Sequence, residues 1–194
     1  MPRSFPLRSR YGTVVYFCAL ALFLFSLSAS AAVTVANTND SGVGSLRDAI
    51  AAAVPGDTIN FAVTGLITLT TGELVINKNL TIQGPGANLL SISGNNASRV
   101  FSIGAGSVVT ITGLTITRGN GVGADFSDYG GGIFSRGPLT LTDCNITGNS
   151  AATGGGGAAL IAEGKFAGCT FSDNTAGNQG GAIDYEGKGT TLTL

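Results

Sequence analysis

From Glu73 to the end of the chain, apolar residues alternate with Ser, Thr and Asn in runs of only a few residues, broken by Gly and Asn. Alternation with period two sends one set of side chains to one face of a strand, and the abundance of Thr, Ile and Val suits that reading. The runs fall into triplets. Val75, Phe101, Ile133, Ala159 and Ile183 take the first position of successive units. Leu80/Ile82, Val109/Ile111, Leu139/Leu141, Phe166 and Leu192/Leu194 take the second, and Leu90/Ile92, Leu114/Ile116, Cys144/Ile146 and Cys169/Phe171 the third. Late in the chain the step becomes regular. Leu141 to Phe166, Cys144 to Cys169, Ile146 to Phe171 and Asn149 to Asn174 are each 25 residues apart. The longer step of 30 from Ile111 to Leu141 assigns the extra residues to Asn120–Tyr129, a flexible loop bulging from one rung.

Three short strands cannot bury a core alone. Stacked in parallel at ~4.8 Å, each pairs with its counterpart above and below, and like residues meet inside. The pattern therefore predicts an all-β right-handed parallel β-helix of about five rungs over 63–194. A β-sandwich would require paired antiparallel strands and leaves the 25-residue step without a cause.

Upstream, 32–62 reads as a cap. Val33–Ala36 alternates as a strand. Ser45 followed by Asp48 matches the capping box, in which the hydroxyl and the carboxylate reciprocally satisfy free helix N–H groups. Leu46, Ala49, Ile50 and Ala53 then fall on one helical face over 45–53, and Pro55-Gly56-Asp57 ends it. Ahead of it, Arg3, Arg8 and Arg10 precede the apolar run Val14–Leu27 and Ala29-Ser30-Ala31. That order predicts an export leader over 1–31, since the run is shorter than the ~20 residues a spanning helix needs.

The hydrophobic fraction of 43% excludes a disordered chain. Without the leader's three arginines, seven of the ten basic residues face eleven acidic ones, a net charge near −4 that argues against a nucleic-acid partner. No further membrane span is expected in the mature chain. The third copy of the repeat stops at Leu194, so truncation, and self-association through an open last rung, are expected.

Ser45-Leu-Arg-Asp-Ala-Ile50 with Pro55-Gly-Asp-Thr-Ile-Asn-Phe61 resembles the CSLREA-type N-terminal segment of exported bacterial β-helix proteins, with Gly44 in place of its cysteine. Asn79–Gly94 is similar to the segment that follows it there. Phe171-Ser-Asp-Asn174 and Gly180-Gly-Ala-Ile183 resemble the FxxN and GGAI repeats of polymorphic outer-membrane proteins. This resemblance implies a secreted, cell-surface or outer-membrane scaffold of adhesin type, contacting a surface glycan or a protein ligand.

Pectin- and polysaccharide-cleaving enzymes share the fold, so a lyase or hydrolase is the rival reading. Lyases of that kind use a basic residue to abstract a proton, with Asp-bound calcium stabilising the charge; hydrolases use a carboxylate pair. The groups available are Asp125, Asp128, Asp143, Glu163, Asp173, Asp184 and Glu186, with Arg118, Arg136, Lys165 and Lys188. That rival would require acidic and basic side chains of adjacent rungs to converge in one groove, around Asp125, Asp128 and Arg118, and the sequence expects no such cluster. The chain has no His, and the sequence assigns no catalytic or cofactor residue. Asn120-Gly-Val-Gly-Ala-Asp125 approaches one calcium-binding Gly-Gly-x-Gly-x-Asp repeat, which makes Asp125 and Asp128 the calcium candidates. Cys144 and Cys169 should stack on neighbouring rungs, close enough for a disulfide, though the sequence favours two thiols used as small apolar side chains. Asn149 and Asn174 are expected to form a structural amide ladder. Asn79, Asn96 and Asn145 match glycosylation sequons.

Overall fold

The computed structural model describes Met1, residues 32–187 and residues 191–194. The export leader expected over 1–31 and the candidate Lys188 lie outside the described residues.

The chain opens with β1 (Ala32–Val35) and α1 (Leu46–Ala52), then winds. Its first turn is β2 (Thr58–Phe61), β3 (Gly65–Thr68) and β4 (Leu74–Ile76); its second is β5 (Leu80–Gln83), β6 (Leu90–Ser93) and β7 (Phe101–Ile103). The third turn holds β8 (Val109–Thr112), β9 (Thr115–Thr117) and β10 (Ile133–Ser135). The fourth holds β11 (Leu139–Thr142), β12 (Asn145–Thr147), the short β13 (Ser150–Ala151) and β14 (Ala158–Leu160). The fifth repeats that plan with β15 (Gly164–Ala167), β16 (Thr170–Ser172), β17 (Thr175–Ala176) and β18 (Ile183–Tyr185), and β19 (Leu192–Thr193) starts a sixth.

Every pairing is parallel, and each strand pairs with its counterpart one turn away. The long sheet runs β1-β2-β5-β8-β11-β15-β19, the second sheet β3-β6-β9-β12-β16 and the third β4-β7-β10-β14-β18. Crossovers between parallel strands of one sheet wind right-handed. The molecule is a right-handed parallel β-solenoid of about six turns. β2, expected within the cap over 32–62, already pairs with β5 in the long sheet.

Inward side chains form continuous columns. Ile59, Ile82, Ile111, Leu141 and Phe166 share one register; Ile67, Ile92, Ile116, Ile146 and Phe171 share another. All but Phe171 are buried. Each fully buried Ile or Leu stabilises the fold by ~1.5–3 kcal/mol, so these columns drive the stacking. In the third sheet the inward column is Leu74, Phe101, Ile133, Ala158 and Ile183. The expected inward positions Val75 and Ala159 are corrected by one residue. Val75 is 45% exposed, and Ala159 pairs with Phe134 and Asp184 in the row that faces outward. A slip of one residue exchanges the faces of a strand.

Gly-Gly opens the later copies because of close backbone approach. A Cβ on Gly131 would strike the carbonyl oxygens of Ser150 and Gly156 on the next rung. At the N-terminal end, Ser45 caps α1, its hydroxyl accepting from the Asp48 N–H at 3.1 Å. The reciprocal half of the expected capping box does not form: the Ser45 N–H donates to the Gly42 carbonyl instead. Asp48 remains in the first helical turn, where negative charge suits the helix dipole.

Candidate functional site

The loop between β9 and β10 folds over the outer face of the third sheet, where its Phe126 meets Phe134 of β10. That loop, expected to be flexible, is hydrogen-bonded from below by Arg99, which is wholly buried. Its Nε donates to the Tyr129 and Gly130 carbonyls at 3.1 and 3.0 Å. Its terminal nitrogens reach the carbonyls of Gly121, Asp125, Phe126 and Tyr129. One of them also pairs with Glu73 Oε2 at 2.9 Å, and Glu73 Oε1 accepts the Ala124 N–H at 2.8 Å. Burial pushes the Arg99 pKa down and the Glu73 charge opposes that shift. A guanidinium with five fixed donors suits this cage of carbonyls.

Held this way, the loop turns left-handed at two non-glycine residues, Phe126 (φ 48°) and Asp128 (φ 81°). Phe126 stacks on Phe134 of β10 with ring centroids 5.0 Å apart, while Arg99 sits 4.9 Å from the Phe134 ring centre on its way to the loop. Phe126 nonetheless remains 52% exposed.

Beside these rings lies a cavity of about 100 Å³ lined by Phe126, Tyr129, Phe134, Ala159, Leu160, Ile161, Asp184 and Glu186. Its origin is the outward row Phe134–Ala159–Asp184: the middle rung carries only a methyl group, so its neighbours wall in a space above it. Asp184 packs against Gly154, and its Oδ2 is buried without a hydrogen-bond partner. Glu186 stands exposed at the rim.

The other ionisable candidates do not gather around Asp125, Asp128 and Arg118, as the enzyme reading would require. Asp125 pairs with Arg136 Nη2 at 2.8 Å, and Arg136 lies 5.8 Å from the centre of the Phe126 ring. Arg118 is an exposed left-handed turn residue (φ 53°). Asp128 is exposed, and its backbone ties the loop to Gly121 and Thr153. Asp143 (φ 50°) and Asp173 (φ 54°) are turn residues, and Glu163 pairs with Lys165 at 3.0 Å on the surface. Among the described residues no three His, Cys, Asp or Glu cluster as a metal site, and no helix is long and apolar enough to cross a membrane.

Cys144 and Cys169 stack one rung apart as free thiols, Cys144 buried and Cys169 half-buried. Cys144 Sγ donates to the Thr142 carbonyl at 3.3 Å and Cys169 Sγ to that of Ala167 at 3.4 Å. The neighbouring Cys169, added to burial, pushes the Cys144 thiol up, and Cys144 in turn lowers that of Cys169. Asn149 and Asn174 form the ladder directly: Asn149 Nδ2 donates to Asn174 Oδ1 at 3.0 Å, and Asn149 Oδ1 accepts from Gly119 at 2.9 Å. Asn174 Nδ2 donates to the Ile146 carbonyl at 2.7 Å. These four residues shape the core and turns and stand apart from the groove.

Sequence reasoning named Asp125, Arg136, Asp184 and Glu186 but missed Arg99, Glu73, Phe126, Tyr129 and Phe134. The available signal was a Glu and an Arg in otherwise apolar, rung-forming surroundings.

No family model matches the chain. No solved structure matches it either. Two curated proteins do, the probable pectate lyase C of Aspergillus flavus and that of Aspergillus oryzae. Each is 48% identical over 50 residues, which is 26% of this chain and 11% of the relative. The match thus spans about a tenth of the length of these relatives.

Proposed function

We propose that the protein is a β-helical scaffold that contacts polysaccharide along the outer face of its third sheet. One observation carries the reading: an aromatic-walled groove with two carboxylates, built by a loop that a buried ion pair holds in place. Aromatic rings present flat apolar faces to the C–H faces of sugars, and carboxylates accept hydrogen bonds from sugar hydroxyls. Phe126 and Ile161, both partly exposed beside the cavity, extend that apolar surface. The leader-like first 31 residues support presentation outside the cell, where such ligands occur.

A polysaccharide lyase is the second reading, favoured by the 50-residue similarity to the two probable pectate lyases. In that reading Arg136, 5.8 Å from the centre of the Phe126 ring, and its partner Asp125 are the residues to examine first.

A pectin and glycan panel, with and without calcium, separates the two. The scaffold reading expects retention of one or more glycans, with no unsaturated product in either condition. Product formation abolished by Asp125→Ala would overturn it in favour of the lyase.

A further inference from the structure

We propose that the cavity over Ala159 takes the protonated amine of an amino sugar, with Asp184 and Glu186 as its anionic partners. This inference rests on the polysaccharide reading above and names the ligand chemistry. Size decides first. A cavity of about 100 Å³ holds a substituent or a few waters, since a water occupies ~30 Å³ of liquid and whole-ligand pockets run to ~300 Å³ or more. The ring of the sugar therefore lies outside, across Phe126 and Ile161, and sends one group inward.

Charge decides next. The guanidiniums closest to the groove are already committed, Arg99 to Glu73 and the loop carbonyls, Arg136 to Asp125. By register Arg136 lies two rungs from Glu186, ~10 Å at the spacing of parallel strands and about one Debye length. Among the described residues no cation bonds to Asp184 or Glu186. Among the described residues the groove end is thus anionic, and a pectate carboxylate would meet the like charge of Asp184 and Glu186 there.

The third observation is the chemistry of the lining: the carboxylates of Asp184 and Glu186 bring only acceptors to this space. An ammonium brings three donors and a charge. Phe126, Tyr129 and Phe134 surround the same space with aromatic faces or edges, and a cation held against such faces gains further attraction. Carboxylates with aromatic walls suit an amine better than a neutral hydroxyl.

Calorimetric titration of the chain with a glucosamine oligomer, its N-acetylated counterpart of equal length and an oligogalacturonate tests this. The glucosamine oligomer should bind at least ten-fold more tightly than either of the others. Glu186→Gln, on the exposed rim, should weaken it several-fold, and Ala159→Phe, which fills the cavity from outside the core, should remove binding while the circular dichroism spectrum is unchanged. Equal or tighter binding of the N-acetylated oligomer or the oligogalacturonate would overturn the amine inference and leave the polysaccharide reading standing. Tighter binding of an oligolysine peptide, or full affinity in Ala159→Phe, would also overturn it. No binding of any saccharide would overturn both.

Discussion

The carboxylate of Asp40 ties the loop before α1 to the first turn of the solenoid. Its Oδ2 accepts from the N–H and hydroxyl of Thr70, both at 3.0 Å, and from those of Thr71 at 2.8 and 2.7 Å. Arg47 closes Oδ1 at 2.7 Å and reaches on to the carbonyls of Gly72 and Glu73. Burial alone raises the Asp40 pKa, but the bonds from Thr71, Arg47 and Thr70 together hold it well below the carboxylate range. The folded-state value lies beneath the unfolded one, so this stabilisation is complete above about pH 4, the unfolded value, and drains away as pH falls below it. Urea unfolding should therefore show Asp40→Asn less stable than the native chain at pH 6, with the difference shrinking towards pH 3. A difference that stays constant or widens in acid would contradict the role given to this carboxylate. Residues acting within their own repeat were legible at this scale. Asn149 and Asn174 announce their ladder by recurring at the same register, and Ser45 declares itself by standing just before an apolar helical face. Asp40 was hidden because its partners lie 30 residues away in a turn with no pattern of its own.

Among the elements, the loop between β9 and β10 depends on one side chain. Arg99 binds that loop almost entirely through carbonyl oxygens, so what it recognises is a backbone path, not a set of residues. This explains why the sequence located the insertion but read it as free: the path exists only once Arg99 and Glu73 are buried beneath it. Breaking a buried pair by removing one partner costs about 3–5 kcal/mol. Arg99→Met should destabilise the protein by that order and raise hydrogen exchange at Ala124 and Asp128, while the core amides of β8 and β11 stay protected. Unchanged exchange in the loop would show that Arg99 is not what holds it. Strand phase was the other uncertain feature. In β4 and β14 apolar residues stand at adjacent positions, Leu74-Val75-Ile76 and Ala158-Ala159-Leu160, so hydrophobicity alone does not say which face is inward. The register supplied by neighbouring rungs resolves it, and in β14 it turns an apparent core alanine into the floor of the groove.

At the scale of the molecule, a solenoid gives each rung contacts only with its neighbours, so like positions stack into rows along the axis. Inside, those rows are Ile, Leu and Phe; outside, the third sheet carries Phe134, Ala159 and Asp184 in one file. The architecture was legible because a fixed period survives the variation within each copy. The groove was not, because it arises from the contrast between successive outward residues and from a loop that reaches across rungs. The central claim, that this groove is where polysaccharide is contacted, is tested most directly by amide-resolved NMR during titration with the glucosamine oligomer and its N-acetylated counterpart. Shifts concentrated at Phe126, Tyr129, Ala159, Asp184 and Glu186, with the long sheet's outward Thr110 and Thr140 unmoved, are the predicted result. Shifts centred on the long sheet, or none with either oligomer, would contradict it.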